Sequence, residues 1–322
     1  MGAQTHEHGQ HSHGHSHGHG HSHGHGHSGG HGHTQDGIDW TQLLDNLRRD
    51  DAMAAATNAE IARRLIALPN GSGGRPTVVD AGAGAGGQSA AFAAELAARG
   101  GGRLIIVDAT PELLDVAREA AERALDGNDS VRIEAIQADA AAPDLAERLP
   151  AADLVWASRM VHHLPDQQAG TAGLAGLVRP GGWLALAEGG LPIRCLPWEL
   201  GIGRPGLQDR LLAARDAGFA QMRADIDGSI PMPYGWNIAL TRAGLTDVTS
   251  FSVLTDHPAP PAPEVRESVI AWLGFLRDRA LDLDETDKTT LDALLDANAD
   301  TFIGNRDDIY MLGATTVFIG RR

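Results

Sequence analysis

The 322-residue chain predicts an α/β fold, doubly wound about a mostly parallel sheet, and three observations carry that prediction. Short runs rich in Val, Ile and Leu recur along its middle third, with acids at or just beyond their ends at Asp80, Asp108 and Asp139. Between these runs lie segments whose Ala and Leu content and spacing are helical. The first run also passes into its helix through a turn dense in glycine, residues 77–88, reading TVVDAGAGAGGQ. Strands that alternate with helices are joined by crossovers. Helices then cover both faces of the sheet, and a ligand site falls along the carboxyl ends of the strands.

Residues 1–37 stand apart from that pattern, with histidine alternating against Gly or Ser from His6 to His33. A segment without apolar side chains has no burial to offset its ordering entropy, so a disordered tail is expected. Imidazoles at every second position can wrap Ni, Cu or Zn in many interchangeable sets, so metal capture, an incidental repeat and an affinity tag all remain open. The interspersed Gly and Ser argue against an ordinary tag.

Residues 38–76 form a second unit: two amphipathic helices over 38–68, with Trp40, Leu43, Leu44 and Leu47 on one face and Ile61, Leu65 and Ile66 on another, then a Gly- and Pro-containing linker at 70–76. They suit a cap on the core or part of a homodimer contact. The core is expected over 77–190. Its first strand and glycine turn lead into a helix from Ser89, and a second strand spans 103–108. The helix PELLDVAREAAERAL follows, opened by Thr110 and Pro111, which suit a helix cap and first turn. Further strands are expected over 131–136, 153–156 and 183–188, the last entered through the turn RPGG at 179–182.

Composition narrows the partners. A formal charge of −16 and a pI near 5.3 disfavour nucleic acid, which needs a basic stripe, and small neutral or cationic ligands are easier to accept. No apolar run approaches the length of a membrane span. The single cysteine, Cys195, excludes an intramolecular disulfide framework and a cysteine-based zinc cluster. It is expected to be an inert buried thiol. With no basic and apolar leader visible at the start, the cytoplasm is the expected location. Nearly every basic residue is Arg, with Lys288 the exception, and Ala and Gly abound, which points to a GC-rich bacterial genome.

The spacing of Gly82, Gly84 and Gly87 fits the dinucleotide pattern G-x-G-x-x-G, which keeps a nicotinamide or flavin enzyme in play. Asp108, at a strand end, suits two ribose hydroxyls in any adenosine ligand. Asp80 argues differently: it puts negative charge where a dinucleotide carries pyrophosphate, and suits a ligand bearing an ammonium and a sulfonium. Beyond the fourth strand, VHHLPD at 161–166 holds His162 and His163. A metal site of His162, His163, Glu188 and His257, a base for one histidine of the pair, and plain packing are all readings of that segment. The core is expected to hold no metal, because adjacent histidines rarely ligate one ion side by side. An imidazole has the unperturbed pKa to take a proton near neutrality.

Taken together, these motifs resemble the class I S-adenosylmethionine-dependent methyltransferases, well over 77–190 and more loosely beyond. The resemblance implies a Rossmann-like, seven-stranded sheet whose sixth strand is parallel and seventh antiparallel, and it implies S-adenosylmethionine as cofactor. It also assigns roles. Asp80, Gly82, Gly84 and Gly86 cradle the amino-acid end of the cofactor, Asp108 with Ala109 takes the ribose, Asp139 takes the adenine amino group with Ala138 and Ala140 flanking the ring, and Ser158 completes the set. VHHLPD and LVRPGGWLALAE look like the family's segments after the fourth strand and into the fifth. A base is needed only if the acceptor loses a proton, and His162 or His163, supported by Glu188, is the choice for that role.

The remainder, 191–322, is expected to supply two lid insertions and the last two strands. The first insertion, 191–235, contains Arg194, Trp198, Arg204, Met222, Met232, Tyr234 and Trp236. A helix at 237–243, a strand at 248–254, a helical block at 263–296 that includes Trp272 and Phe275, and a strand at 313–320 follow. Both insertions leave the carboxyl edge of the family sheet, so they are expected to roof a small-molecule substrate, with Arg194, Trp198, Tyr234 and Trp236 as contacts. Methyl transfer to a small molecule, plausible in bacterial secondary metabolism, is the function this implies. An NAD(P)-dependent oxidoreductase and a metal-handling protein with a methyltransferase-like core remain as alternatives.

Overall fold

A computed structural model of the chain describes residues 40–68, 75–140, 142, 144–279 and 283–322, with side chains described from residue 44 onward. The histidine-rich tail expected over 1–37 and most of the expected linker at 70–76 lie outside the described residues.

Two helices open the described chain, α1 (Trp40–Met53) and α2 (Ala55–Ile66). Strand and helix then alternate: β1 (Thr77–Ala81), α3 (Gly87–Ala98), β2 (Gly102–Asp108), α4 (Pro111–Leu125), β3 (Val131–Gln137), the short α5 (Leu145–Arg148) and β4 (Ala152–Ser158). A 3-10 turn, Val161–His163, leads to α6 (Gln167–Leu177) and β5 (Val178–Arg194). After α7 (Leu207–Asp225) and α8 (Trp236–Arg242) comes β6 (Thr246–His257), and α9 (Pro263–Arg279) and α10 (Glu285–Leu295) precede β7 (Met311–Arg321). Local chemistry explains the boundaries. Thr110 stays extended ahead of Pro111 at the start of α4, and Asp126 ends that helix in the left-handed region at φ 46°. Asp166 caps α6 by accepting the Ala169 N–H at 2.9 Å.

The strands form one seven-stranded sheet in the order β3-β2-β1-β4-β5-β7-β6. Strands β1 to β5 pair in parallel, and β7 runs antiparallel between β5 and β6, which leaves β6 parallel to the rest. Chain order reverses between β1 and β4, so their carboxyl ends diverge and open the crevice where such sheets bind ligands. Alternating residues go to opposite faces. Val78, Leu104, Ile106, Leu154 and Trp156 meet α2, α3 and α4, with the Phe92 ring edge-on to Trp156 at 5.9 Å. Val79, Ile105, Val107, Val155 and Ala157 meet α6 and α8. Trp156 is 2% exposed, and truncating it to Ala costs about 3–5 kcal/mol at such sites.

The two insertions build a third core of their own. Leu196, Leu200, Leu207 and Leu211 from the first pack with Val269, Leu273, Leu291, Leu294 and Ile303 from the second. Cys195 lies buried in this core, and burial pushes its thiol up to about 12, which makes it unreactive. Arg204 and Arg210 of the first insertion converge on Asp287 of α10, at 2.8 and 2.6 Å. The fifth strand differs from expectation at both ends: β5 starts at Val178 and takes in the RPGG segment expected as a turn, and it runs on past residue 188 to Arg194. It does so because β7 continues to pair with it, Arg194 against Leu312, after a bulge at Gly190. Gln208 secures the exit, its side-chain oxygen accepting the Cys195 and Leu196 N–H groups at 2.9 and 3.0 Å.

Candidate active site

The glycine turn between β1 and α3 is shaped by its neighbours. Gly86 stands at φ 87°, and a Cβ there would come within 2.4 Å of the Ala117 Cα, so this glycine lets α3 and α4 pack closely. A Cβ on Gly82 would meet the Met160 side chain at 2.9 Å. Gly84 is different: at φ 56° its missing Cβ would have no heavy atom within 4 Å. Two glycines are consumed by packing, and the third faces open space, where a ligand can lie against bare backbone.

Carboxylates surround this opening. Asp80 ends β1 at 1% exposure, accepts the Ser89 hydroxyl at 2.5 Å, and is pushed up to about 7 by burial. At that exposure it can influence a ligand only through its field and through the loop it props. Asp108 ends β2 and accepts the Gly84 N–H at 3.1 Å and the Thr110 N–H at 2.9 Å. Its carboxyl is also raised by burial, against the pull of those backbone donors. Asp51 reaches over from α1 to accept the Gly87 N–H at 2.9 Å, and burial lifts it to about 6. Asp50 beside it is raised for the same reason, and Arg159, held at φ 49°, offsets both.

The remaining predicted cofactor residues lie on the neighbouring strand ends. Ala109 is exposed directly after β2, and its carbonyl accepts from the Gln137 side chain at 3.0 Å. Ala138 is buried with its N–H on the Asp108 carbonyl, Asp139 is half-buried just beyond it, and Ala140 packs against the lower-face core. Ser158 ends β4, half-buried, with Ala187 of β5 as its register partner.

The second cluster is built by β5 and the turn after β4. Glu188, 3% exposed, accepts the Met160 and Val161 N–H groups on Oε1 at 3.0 and 2.8 Å and meets His162 Nδ1 with Oε2 at 2.6 Å. An ionised Glu188 accepts that last bond from Nδ1–H, which in a neutral ring leaves the lone pair on Nε2. His163 lies 4.3 Å from His162 between ring centres. Burial, aided by His162 and Arg223, drives His163 down to about 4, so it is neutral near pH 7 and a poor proton acceptor. His257 sits elsewhere, its Nε2 on the Met53 carbonyl at 2.9 Å. Among the described residues, no three His, Cys, Asp or Glu side chains gather as a metal site.

The four predicted substrate contacts occupy two places. Arg194 and Trp198 line a shallow surface hollow with Gln208, Asp209 and Tyr310, where Arg194 pairs with Asp209 and Trp198 is 64% exposed. Tyr234 donates to Gln168 of α6 at 3.1 Å under the Arg242 guanidinium, and Trp236 packs on the lower-face core. Three residues that the sequence reading left out contact the clusters directly: Asp51 on the glycine turn, and Phe219 and Arg223 at His162. The i, i+4 spacing of Phe219 and Arg223 on one helix face was the available signal for the last two.

Residues 79–184, which include the glycine turn, Asp108, Asp139 and the His162 segment, match a family model described as a methyltransferase domain. No curated protein matches the sequence. Among solved structures, one similar chain is a putative methyltransferase from Bacillus halodurans, 16% identical over 81% of this chain and 97% of that one, with a TM-score of 0.44. Another is an S-adenosylmethionine-dependent methyltransferase from Thiobacillus denitrificans in complex with S-adenosylhomocysteine, 15% identical over 87% and 98%, TM-score 0.44. The [4+2]-cyclase SpnF is similar as well, at 16% identity over 84% and 81%, TM-score 0.42. No helix among the described residues is long and apolar enough to cross a membrane. Residues 79–184 of the chain thus match a methyltransferase domain.

Proposed function

We propose that this chain transfers a methyl group from S-adenosylmethionine to a small-molecule acceptor, of the kind met in bacterial secondary metabolism, with His162 as the base. The observation that carries this reading is the charge around the glycine turn. In dinucleotide enzymes the first N–H groups of the helix after the turn receive a pyrophosphate. Here Asp51 of the same chain takes the Gly87 N–H, and Asp50, Asp80 and Asp108 add negative charge nearby. Such a seat repels a diphosphate and favours a cation.

The residues fit that cofactor. Gly84 leaves open space beside the Asp108 carboxylate, which suits a ribose diol, and Asp139 and Ala140 follow at the next strand end. Bound there, S-adenosylmethionine supplies a methyl group made electrophilic by its sulfonium. The chain's own residues do the rest. Glu188 fixes the His162 ring through Nδ1, and Nε2 takes the acceptor's proton as the new bond forms. Orientation and exclusion of water supply most of the acceleration in a displacement that neutralises charge, and the core shared by the two insertions stands at the carboxyl edge of the sheet to provide them.

The test is calorimetric titration of the whole chain, in metal-free buffer, with S-adenosylmethionine, S-adenosylhomocysteine and NADPH. Micromolar binding of the first two and none of the third is expected. NADPH binding without either sulfur compound would overturn the reading.

A further inference from the structure

Helix α7 divides into two halves of different character. Its first half, with Leu207, Leu211 and Leu212 buried, is seated in the third core, and Arg210 ties it to Asp287. From residue 213 to its end the helix has no buried residue. At about 1.5 Å per residue, that arm reaches some 20 Å from its seat. Two of its side chains, one turn apart, come down on the same residue. The Phe219 ring lies edge-on to the His162 imidazole at 5.4 Å between centres. The Arg223 guanidinium donates from Nη1 to the His162 and Leu164 carbonyls at 2.8 and 2.7 Å, and from Nη2 to the Pro165 carbonyl at 3.4 Å and Ser229 Oγ at 3.1 Å.

We infer that Arg223 is a positioning residue for His162, delivered by the unburied arm of α7 with Phe219 as its second point of contact. Glu188 fixes the His162 ring from the sheet side, but a 3-10 turn of three residues has little rigidity of its own. Carbonyls 162, 164 and 165 line up toward one side of that turn, and a planar guanidinium is the side chain able to bind all three at once. His162 is thereby held at its ring nitrogen by β5, and at its ring and its backbone carbonyl by α7. The first insertion contributes to the machinery of the base as well as covering the sheet edge. This inference rests on the base role proposed for His162, but its test does not.

The experiment is long-range proton–nitrogen NMR of the full chain labelled with 15N-histidine, with His162→Gln as the difference spectrum that isolates the His162 signals. The wild-type chain is expected to show His162 as a single Nδ1–H tautomer with a downfield Nδ1 proton from the short bond to Glu188. Arg223→Met is expected to lose that proton resonance and mix the tautomers, Arg223→Lys to restore it in part, and Phe219→Ala, at a 45% exposed position, to shift the ring signals while keeping the fold. An unchanged His162 tautomer and Nδ1 resonance in Arg223→Met, or unchanged signals in Phe219→Ala should Arg223→Met fail to fold, would overturn the inference. Failure of the base reading is registered separately, as loss of cofactor binding in the titration above or as full turnover by His162→Gln.

Discussion

Replacing Asp80 with Asn tests how much strain the glycine turn stores in its buried carboxyl. Asp80 ionises near 3.8 in an unfolded chain and is pushed to about 7 in the folded one by burial at the end of β1. The folded state therefore holds a proton that the unfolded state has released, and stability falls as pH rises from about 4 to about 7, then levels off. Between about pH 5 and pH 8 this single carboxyl removes about 2–3 kcal/mol of stability. The amide of Asp80→Asn cannot ionise, and its side-chain oxygen still accepts from Ser89, so the variant lacks that component of the pH dependence. Urea unfolding of both proteins across that range, without ligand, reads the difference directly. A constant offset of either sign reflects the amide's own hydrogen bonding; only the slope is diagnostic. Parallel stability curves for the two proteins would refute the assignment of a raised Asp80. The same variant is expected to weaken S-adenosylmethionine binding at least tenfold, since the strain is relieved when a cation arrives.

Three further outcomes follow from the geometry. Binding of S-adenosylmethionine near pH 6.5 is expected to release protons, because a cation lowers the raised carboxyls Asp51 and Asp80; titration in buffers of different ionisation enthalpy measures the number. Gly84→Ala is expected to cost only about 1–2 kcal/mol for its positive φ yet abolish cofactor binding, whereas Gly86→Ala, whose Cβ strikes the Ala117 backbone, costs about 2–4 kcal/mol; thermal melts beside calorimetry separate the two. His163, depressed to about 4 from 6.5, makes the unfolded chain bind the extra proton as pH falls through that interval. His163→Gln is expected to recover about 3 kcal/mol of acid stability by pH 4, read from unfolding curves against the wild-type chain.

The core was legible because its periodicities are strong and local. Apolar runs ending in acids and the glycine turn are short-range signals, and the first four strands and the helices between them lie within a few residues of their expected ends, whereas RPGG, expected as a turn, is the opening of β5. Strand ends were less legible. The extension of β5 to Arg194 depends on pairing with β7, more than a hundred residues away, and no local pattern encodes that. The same limit applied to the site. Asp80 and Asp108 lie at or beside strand ends, and His162 and Glu188 stand out as a paired histidine and an acid closing an apolar run, while Asp51, Phe219 and Arg223 sit on helices where an acid, an aromatic ring and a guanidinium are ordinary. Their significance comes from which helix packs over which turn. For the insertion arginines the chain offered no means of ranking: Arg194 and Arg204 were as plausible as Arg223, yet they are engaged by Asp209, and by Asp284 and Asp287.

Asp287 also bears on how such a protein can be redesigned. At 1% exposure it is paired with Arg204 and Arg210, which belong to a segment some eighty residues earlier, and the leucines of the core beneath are drawn from both segments. A chimera that imports residues 195–235 from another enzyme while retaining 258–310 would inherit half of an interior and a buried anion with no counter-charge. The two segments are one module in space though separate in sequence, and any exchange of either is best made by moving them together.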